Sequence, residues 1–459
     1  MTLGHYCGLF GIYGDDDAVL KTYFGLQALQ HRGQEGAGIA SWDGRQIRLH
    51  AGQGLVTQVF DDLAILDRLA APVAIGHVRY STSGGSTNPA NCQPLLAHSA
   101  AGAVAVAHNG DLTNKNVLRG QLEARGSLFQ STTDTETILH LLATSQKTDV
   151  LERLHEVLPQ LQGAYSLLIM TPGRIIAVRD PRGFRPLVMG KLGDSVIFAS
   201  EDCAFSLFEA ERVRELEPGE IVIVDSDGIH EHRFTDHHTR RESSCIFEHI
   251  YFARPDSKIF GENVHQVRMK LGRTLAIEHP CEADLVTSVP DSGNSASIGF
   301  AQESGIPLDR GFIKNHYVGR TFIHPDPKQR EMKVRLKINA IREVVEGKRV
   351  VVVDDSIIRG TTSLSRVGSL RKAGAKEVHL RITCPPTRWP CFFGIDFPTR
   401  EELIAASKTP DEIARFLSAD SLGYLSEDGL VASVSRPKDR WCMACFNGDY
   451  PAAIPSEIG

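Results

Sequence analysis

The hydrophobic positions in the first half of the chain form short uninterrupted runs instead of following a helical period. Four such runs are Val104–Ala107, Leu167–Met170, Ile175–Val178 and Ile221–Val224. Each run lies close to Gly, Pro or Asp, and short runs with β-branched residues are typical of buried strands. A helix is predicted over Asp134–Ala143, capped by Thr132 or Thr133. This half is therefore predicted to form two packed sheets flanked by helices.

The second half alternates between strand-like and helix-like segments. The predicted strands are Asp284–Val289, Arg349–Val353 and Glu377–Ile382, and the predicted helices are Val264–Glu278 and Ser363–Ala373. Strands that alternate with helices indicate a parallel sheet built from βαβ units. Between the halves, the stretch from Asp225 to Ser244 is polar, charged and rich in histidine. We place the boundary there, with one domain at residues 7–236 and another at 237–459.

Composition and charge narrow the class of protein. Of 459 residues, 42% are hydrophobic and 23% charged, as in ordinary globular proteins, and the net charge is -6. A negative chain has no general attraction for nucleic acid or anionic lipid, so we expect neither as a partner. No apolar run approaches the roughly 20 residues of a membrane helix. The start Met1–Tyr6 lacks the features of a signal peptide, so a cytoplasmic location is expected.

The chain has nine cysteines, an odd number that disfavours a disulfide framework in a long cytosolic protein. Cys442 and Cys445 form a C-x-x-C pair, and Cys245 and Cys391 lie further upstream. Four thiolates suit either a tetrahedral zinc ion or a [4Fe–4S] cluster, and the spacing does not choose between them. Four unrelated buried cysteines are the simpler alternative.

A phosphate-binding turn is predicted in the second half. The valine run Val350–Val353 leads into Asp354-Asp355-Ser356 and then into Arg359-Gly360-Thr361-Thr362-Ser363 before a helix. Backbone N–H groups and the positive end of a helix dipole attract phosphate there, and paired carboxylates can hold ribose hydroxyls and hydrated magnesium. An ordinary βα turn is the alternative, although the residues Arg359–Ser363 favour the phosphate site. The common ATP and dinucleotide loop motifs are absent.

This turn resembles the phosphoribosyl pyrophosphate loop of type I phosphoribosyltransferases. The resemblance implies that Asp354 and Asp355 lie near the ribose and the magnesium, and that Arg359–Ser363 surrounds the 5-phosphate. Ser356 is a further predicted substrate contact. A second turn at Val289–Gly293 is similar to the pyrophosphate-side loop of that family, with Ser292 near the magnesium.

The segment Lys314–Lys337 contains seven Lys or Arg residues against two acidic residues. It is predicted to be a cationic lid over the sugar phosphate, with Lys314 and Arg320 as substrate contacts. A solvated basic loop is the alternative.

Five blocks in the first half occur in a fixed order. They are Cys7–Ile12, His31–Gly38, Gly76–Thr82, His108-Asn109-Gly110 and Thr133–Glu136. A single cysteine near an N-terminus is usually a small buried hydrophobe, but the five blocks together closely resemble the class II glutamine amidotransferases, which use an N-terminal nucleophile.

That resemblance implies roles for individual residues. Cys7 would be the nucleophile once Met1–Tyr6 is removed, with its own α-amine, of pKa about 7.7–8.0, as the base. Asn109 and the N–H of Gly110 would stabilise the oxyanion. The remaining predicted contacts with glutamine are those of Arg79 with the α-carboxylate, Asp134 with the α-ammonium, and Arg32.

The segments Phe247–Ser257 and Cys391–Asp396 are similar to segments of the glutamine phosphoribosyl pyrophosphate amidotransferases. That family implies an αββα glutaminase domain followed by a type I phosphoribosyltransferase domain, and transfer of glutamine nitrogen to phosphoribosyl pyrophosphate at the first step of purine synthesis. Its subgroup with a cleaved leader implies a [4Fe–4S] cluster on Cys245, Cys391, Cys442 and Cys445, with Cys384 left in the core. The family also implies a homotetramer inhibited by AMP- and GMP-type nucleotides.

Two other functions fit part of the sequence. The motifs of the first half alone would also suit glucosamine-phosphate or asparagine synthesis, but neither reaction uses the phosphoribosyl donor that the loop Val350–Ser363 indicates. A regulatory protein that senses phosphoribosyl pyrophosphate would leave the set of Cys7, Arg79, Asn109 and Asp134 without a purpose.

Overall fold

The first half of the chain folds into two antiparallel sheets packed face to face. This computed structural model describes residues 7–80, 88–99, 102–235, 241–315, 338–397 and 399–454. In spatial order, the strands of sheet 1 are Glu211–Glu215, Val188–Leu192, Ser195–Ala199, Gly8–Tyr13, Val73–Arg79, Gly36–Trp42 and Ile47–Gln53. Those of sheet 2 are Gly228–Arg233, Glu220–Asp225, Arg174–Arg179, Gly163–Thr171, Gly102–Leu112 and Leu95–Ser99. The four predicted apolar runs all lie within strands of sheet 2.

A continuous apolar core joins the two sheets. Leu9 and Ile75 of sheet 1 meet Leu168 and Val222 of sheet 2, and all four side chains are fully buried. Both faces of these strands are covered, which explains the uninterrupted apolar runs.

Helices cover the outer face of each sheet. Those of this half are Ala18–Ala28, Val56–Val59, Leu63–Leu69, Lys115–Ala124, Asp134–Thr144 and Val150–Val157. Val19 and Leu26 pack on sheet 1, whereas Ile138 and Leu142 pack on sheet 2. The predicted αββα arrangement is therefore confirmed.

The second half contains a four-stranded parallel sheet. In spatial order, its strands are Leu285–Ser288, Arg349–Asp354, Glu377–Ile382 and Ser421–Tyr424. The helices of this half are Val264–Glu278, Asn294–Ser304, Arg342–Val345, Thr361–Lys372, Ile404–Ser407, Pro410–Leu417, Glu427–Ala432 and Ala444–Asn447. Val350–Val353 lie at the centre of the core, as the valine run predicts.

Short elements connect the halves and frame the candidate sites. A π-helical turn spans Glu248–Phe252, and such turns often lie at functional sites. The two-stranded pairs are Ser244–Cys245 with Trp441–Cys442, Lys258–Ile259 with Glu262–Asn263, and Phe312–Lys314 with Ile338–Ala340. The predicted boundary between residues 236 and 237 lies outside the described residues, as does the segment Met1–Tyr6. Across the described ranges, no helix combines the length and the apolar character needed to cross a membrane.

Candidate functional site

Cys7 directly precedes the strand Gly8–Tyr13 and lies beside Arg79. Gly8 pairs with Val78 on the neighbouring strand, so the start of one strand and the end of the other meet in the middle of sheet 1. The Cys7 side chain is buried, and its thiol donates a hydrogen bond to the Tyr80 carbonyl over 3.8 Å. Burial raises the pKa of the Cys7 thiol to about 11, although the Arg79 guanidinium acts in the opposite direction. The thiol therefore needs a base before it can act as a nucleophile at neutral pH.

Asn109 and Gly110 lie near the end of the strand Gly102–Leu112, and both are buried. The Asn109 side chain donates to Ser200 Oγ over 3.5 Å, and the same oxygen accepts the Leu9 N–H over 2.9 Å. Within the described part of the chain, Asn109 Oδ1 has no hydrogen-bond partner. Ser200 thus links Asn109 to the strand that begins immediately after Cys7.

Asp134 is the first residue of the helix Asp134–Thr144, and Thr133 is the cap. Asp134 is buried, and its carboxylate accepts the Leu112 N–H over 2.9 Å. Burial alone would raise the pKa of Asp134, but the neighbouring His108 and Lys115 lower it overall. An ionised carboxylate at this position also acts on the Cys7 thiol, whose pKa it raises. The structure therefore brings together Cys7, Arg79 and Asp134, with Asn109 and Gly110 on a strand of the facing sheet 2.

Arg32 lies beside Gly8, but its guanidinium is turned towards the junction of the two halves. Its side chain is fully buried, and the guanidinium is hydrogen-bonded to the carboxylates of Glu201 and Glu248. Arg185 also approaches Glu248, with 3.4 Å between Nη1 and Oε1. Three of the five N–H donors of Arg32 are used in these bonds. The predicted substrate contact of Arg32 stays a prediction, and in this structure its guanidinium forms ion pairs at the junction.

The phosphate-binding turn has the predicted form, but its helix begins two residues earlier, at Thr361. Gly360 caps this helix with a φ of +79°, which favours glycine. Asp354, Asp355 and Ser356 are buried at the end of the strand Arg349–Asp354. The helix therefore points its N-terminal N–H groups towards the strand end, where an anion is best stabilised.

The two acidic residues of this turn are buried side by side, which disfavours the ionised form of Asp354. Burial raises the pKa of Asp354 to about 8, with Arg366 opposing the shift and Asp355 adding to it. Arg366 Nη1 lies 2.5 Å from Asp354 Oδ2, and Ser356 donates to Asp355. Magnesium is commonly bound by one or two carboxylates together with phosphates of the substrate. The donor set at Asp354 and Asp355 fits such an ion.

A cavity of about 550 Å³ lies above this turn. Lining residues that the sequence predicted are Ser292, Lys314, Asp354, Asp355, Ser356, Arg359, Gly360, Thr361, Thr362 and Ser363. Lys314 is paired with Asp291, and Arg359 with Glu402 at 2.7 Å. The remaining predicted contact, Arg320, lies in the stretch 316–337, outside the described residues, together with most of the predicted lid.

The cavity wall also contains residues that the sequence analysis missed. Arg254, Arg268 and Arg366 add positive charge from the second half, and His31 and Gln34 come from the first half. Arg366 lies on the helix just after the loop, so its spacing could have indicated it. His31 and Gln34 belong to a glutaminase motif, and nothing in the sequence indicated that this motif reaches the other site.

The four cysteines predicted to hold a cluster lie close together. Cys245 pairs with Cys442 in a short parallel ladder, and Cys445 lies in the next helical turn. Burial is the main cause that raises the pKa of the Cys391 thiol to about 11, with Arg185 opposing the shift and Cys245 adding to it. The pKa values of Cys442 and Cys445 are likewise raised by burial and by the neighbouring thiolates. Each thiol is therefore within electrostatic reach of the others.

Among the described residues, no three His, Cys, Asp or Glu side chains are arranged to hold one metal ion. Four thiols are a ligand set that zinc ions and [4Fe–4S] clusters both take. Cys384 is fully buried in the core, as predicted.

Comparison with known proteins gives relatives that match nearly the whole chain. A family profile described as a glutamine amidotransferase domain matches residues 77–206. The amidophosphoribosyltransferase of Bacillus subtilis strain 168 is 50% identical over 98% of this chain and 95% of its own length. That of Methanocaldococcus jannaschii is 49% identical over 98% of both chains.

Two solved structures share the fold over the same extent. One is described as the allosteric regulatory enzyme of purine biosynthesis, with a TM-score of 0.93 and 49% identity over 98% of this chain and 97% of that one. The other is the glutamine phosphoribosylpyrophosphate amidotransferase of Bacillus subtilis in complex with ADP and GMP. It has a TM-score of 0.92 and 49% identity over 98% of both chains.

Proposed function

The chain belongs to the amidophosphoribosyltransferases, the enzymes of the first step of purine biosynthesis, and we propose how its residues divide that reaction. Glutamine is hydrolysed at Cys7, and the released ammonia is joined to phosphoribosyl pyrophosphate above Asp354 and Asp355. The observation that carries this division is the cavity of about 550 Å³, whose wall contains residues of both halves.

The glutaminase step begins with the Cys7 thiol. Its Sγ attacks the side-chain carbonyl carbon of glutamine, and the α-amine of Cys7 takes the thiol proton. The oxyanion that forms is stabilised by the Asn109 amide and the Gly110 N–H. The carbon–nitrogen bond then breaks, the α-ammonium returns its proton to the leaving nitrogen, and ammonia departs. Water hydrolyses the thioester to glutamate and restores the thiol.

Arg79 and Asp134 bind the amino-acid end of glutamine in this proposal. Arg79 pairs with the α-carboxylate and Asp134 with the α-ammonium. Support comes from their burial beside Cys7 and from the ionised state of Asp134, whose pKa His108 and Lys115 lower against the effect of burial. Opposite charges at fixed separation select an α-amino acid over a simple amide.

The second step takes place in the cavity. Arg359–Ser363 binds the 5-phosphate, Asp354 and Asp355 bind the ribose with Ser356 as a further substrate contact, and Lys314 lies on the pyrophosphate side near Ser292. Magnesium held by Asp354, Asp355 and Ser292 would neutralise the pyrophosphate as a leaving group. The ammonia nitrogen attacks the anomeric carbon, the bond to pyrophosphate breaks, and one proton is released to give phosphoribosylamine.

The residues that line the cavity support a route for ammonia between the two sites. His31 and Gln34 belong to the glutaminase half and line the same wall as Asp354 and Arg359. Ammonia that passes directly into this cavity avoids protonation in bulk water. This shared wall favours direct transfer over release and recapture.

The assignment of the two reactions to separate sites is tested by supplying either glutamine or ammonia as the nitrogen source. In Cys7→Ala, pyrophosphate release should persist with ammonia and disappear with glutamine. Loss of both activities in a folded variant would refute separate sites.

The four cysteines hold a [4Fe–4S] cluster in this proposal, and its role is structural. Cys245 lies at the junction of the halves, and Cys442 and Cys445 lie near the C-terminus, so a cluster would tie these segments together. Anaerobically purified protein should contain about four iron atoms per chain, whereas Cys442→Ala should contain almost none. Cys281→Ala, at a cysteine outside the set, should keep the iron. One zinc ion per chain in the wild type would contradict the cluster.

Removal of Met1–Tyr6 and a boundary near residues 236–237 complete the proposed organisation of the chain. The α-amine of Cys7 can act as a base only when the preceding residues are cleaved. Intact mass spectrometry should therefore show Cys7 as the N-terminus of active protein. Activity in protein that keeps Tyr6 would contradict the proposed base.

Regulation is proposed from a relative, and assembly from the resemblance to the family. The Bacillus subtilis structure is a complex with ADP and GMP, and we propose that purine nucleotides also inhibit this chain, as a cytoplasmic homotetramer. Light scattering of the purified protein gives the mass, which should be about four times the 50.3 kDa of one chain.

A further inference from the structure

Gly394 lies against the backbone of Gly110, although the two residues belong to different halves of the chain. A Cβ atom added to Gly394 would lie 3.2 Å from Arg185 Nη2, 3.2 Å from the Gly110 carbonyl carbon and 3.3 Å from the Gly110 Cα. These distances are shorter than an ordinary contact, so there is no room for a side chain between Gly394 and the main chain of Gly110. The φ of Gly394 is +103°, which also favours glycine. The position therefore combines a special backbone conformation with a close approach to the glutaminase site.

Gly110 is confined on its other side by the strand Gly163–Thr171. A Cβ atom added to Gly110 would lie 2.0 Å from the Ala164 carbonyl oxygen. In the ladder between the two strands, Gly110 stands opposite Tyr165. The main chain at Gly110 is thus held between its neighbouring strand and Gly394, and movement of either changes where its N–H lies.

The segment that carries Gly394 is itself firmly held. The Phe393 ring stacks on Phe184, with 4.4 Å between centroids and 20° between planes. The Phe393 carbonyl accepts a hydrogen bond from Arg185, and its N–H donates to Cys391 Sγ over 3.4 Å. Contacts of this kind fix the position of Gly394 against the first half of the chain.

We propose that Gly394 is a positioning residue for glutamine hydrolysis. Contact with Gly394 holds the Gly110 N–H where the oxyanion develops, so a segment of the second half completes the glutaminase site. This inference rests on the proposed role of Gly110. Because an oxyanion donor acts mainly in the transition state, its displacement lowers kcat and leaves the binding of glutamine nearly unchanged.

The test uses Gly394→Ala with a matched control. The new methyl group should push on Gly110 and lower kcat for glutamine hydrolysis by about tenfold or more, with little change in KM or in ammonia-dependent synthesis. Gly228→Ala is the control, because Gly228 has a φ of +120° and nothing within 4 Å of an added Cβ. Gly228→Ala has the same kind of backbone strain but no contact with Gly110. Its kcat for glutamine hydrolysis should therefore equal that of the wild type.

Alkylation of Cys7 gives a readout independent of turnover. A chloroketone analogue of glutamine places its carbonyl in the oxyanion hole while the thiol is alkylated, whereas iodoacetamide reports only the reactivity of the thiol. Mass spectrometry of Gly394→Ala should show slower labelling by the chloroketone and an unchanged rate with iodoacetamide. Phe393→Leu, which removes the stacking on Phe184, should slow labelling by the chloroketone to a smaller extent and leave the rate with iodoacetamide unchanged.

The outcomes separate this inference from the function on which it rests. If the wild type is not labelled at Cys7 by the chloroketone, the proposed nucleophile is wrong, and the inference is lost with it. If the wild type is labelled but Gly394→Ala and Gly228→Ala are labelled equally fast, Gly394 has no positioning role. A parallel fall in ammonia-dependent synthesis would likewise show general damage instead of positioning.

Discussion

Cys7 and Asn109 show how single residues determine the chemistry of the first site. A buried thiol whose pKa is raised to about 11 is almost entirely protonated at neutral pH, so it cannot act without a base. Asn109 is buried with one amide oxygen that lacks a partner within the described ranges. Polar groups left without partners are costly in a core, and substrate binding is a function that would offset this cost.

Asn109→Ala tests the oxyanion role. The variant should lower kcat for glutamine hydrolysis about 10²–10³-fold, because one donor to the oxyanion is lost. Steady-state glutamate release measures this, and the KM for glutamine should change little. Asn114→Ala is the control, since the Asn114 amide lies at the surface, where it donates to the Gln160 carbonyl and accepts the Gln162 N–H. Equal kcat values in the two variants would remove Asn109 from the mechanism.

His249 should make stability depend on pH. Its ring is fully buried, and neither ring nitrogen has a hydrogen-bond partner among the described residues. Burial lowers the pKa of His249 to about 3, with Arg268 and Arg436 contributing. The unfolded state therefore binds the proton first, and stability is full above pH 6.5 and falls as the pH drops towards 3.

Replacement of His249 by phenylalanine tests this dependence. The loss of stability below pH 6.5 should be reduced in His249→Phe, by up to about 1.4 kcal/mol per pH unit. Urea unfolding midpoints measured across this range give the slope. His155→Phe, at an exposed histidine, should keep the wild-type slope. Identical slopes for the wild type and His249→Phe would show that His249 is not the titrating group.

At the second site, the strand–loop–helix unit shows which structural features of an element can be predicted from its sequence and which cannot. The valine run and the residues after it predicted the strand and the phosphate site. The sequence predicts a helix from Ser363 onwards. The observed helix begins at Thr361, because Gly360 adopts a left-handed conformation and caps it there. Local sequence did not reveal that backbone conformation. By contrast, the helix Val264–Glu278 matches its prediction at both ends.

Gly360→Ala tests the phosphate-binding loop. An alanine at a φ of +79° is strained and should move the N–H groups of Thr361–Ser363 away from the phosphate. The KM for phosphoribosyl pyrophosphate should rise by about tenfold, equivalent to about 1.4 kcal/mol, while glutamine hydrolysis keeps its KM for glutamine. Initial rates at varied sugar phosphate measure the change. Gly347→Ala, at a φ of +71° with no atom near an added Cβ, should behave like the wild type. Equal KM values in both variants would exclude a role of the loop backbone.

At the scale of the whole molecule, a buried network of charges joins the two halves. Glu248 of the second half pairs with Arg32 and Arg185 of the first half, and all three side chains are fully buried. The sequence did not predict this network, because Arg32 and Glu248 are 216 positions apart and their motifs indicated other roles. The two domains and their motifs were readable from local patterns, whereas the contacts between them depend on three-dimensional packing.

Glu248→Ala tests the junction. Removal of the carboxylate leaves two buried guanidinium groups without their common partner, which should cost about 3–5 kcal/mol of unfolding free energy. Chemical unfolding followed by fluorescence measures the loss. Glu123→Ala is the control, because Glu123 pairs with Arg119 at the surface, and such pairs contribute about 1 kcal/mol or less. A loss for Glu248→Ala no greater than that of the control would contradict a stabilising junction.

Glutamate release by anaerobically purified protein, with and without phosphoribosyl pyrophosphate, tests most directly whether one chain couples the two sites. Release should rise when the sugar phosphate is added and be abolished in Cys7→Ala. Wild-type protein that binds the sugar phosphate but releases neither glutamate nor pyrophosphate, with Cys7 at its N-terminus and the cluster in place, would contradict the account and favour a sensor of the sugar phosphate.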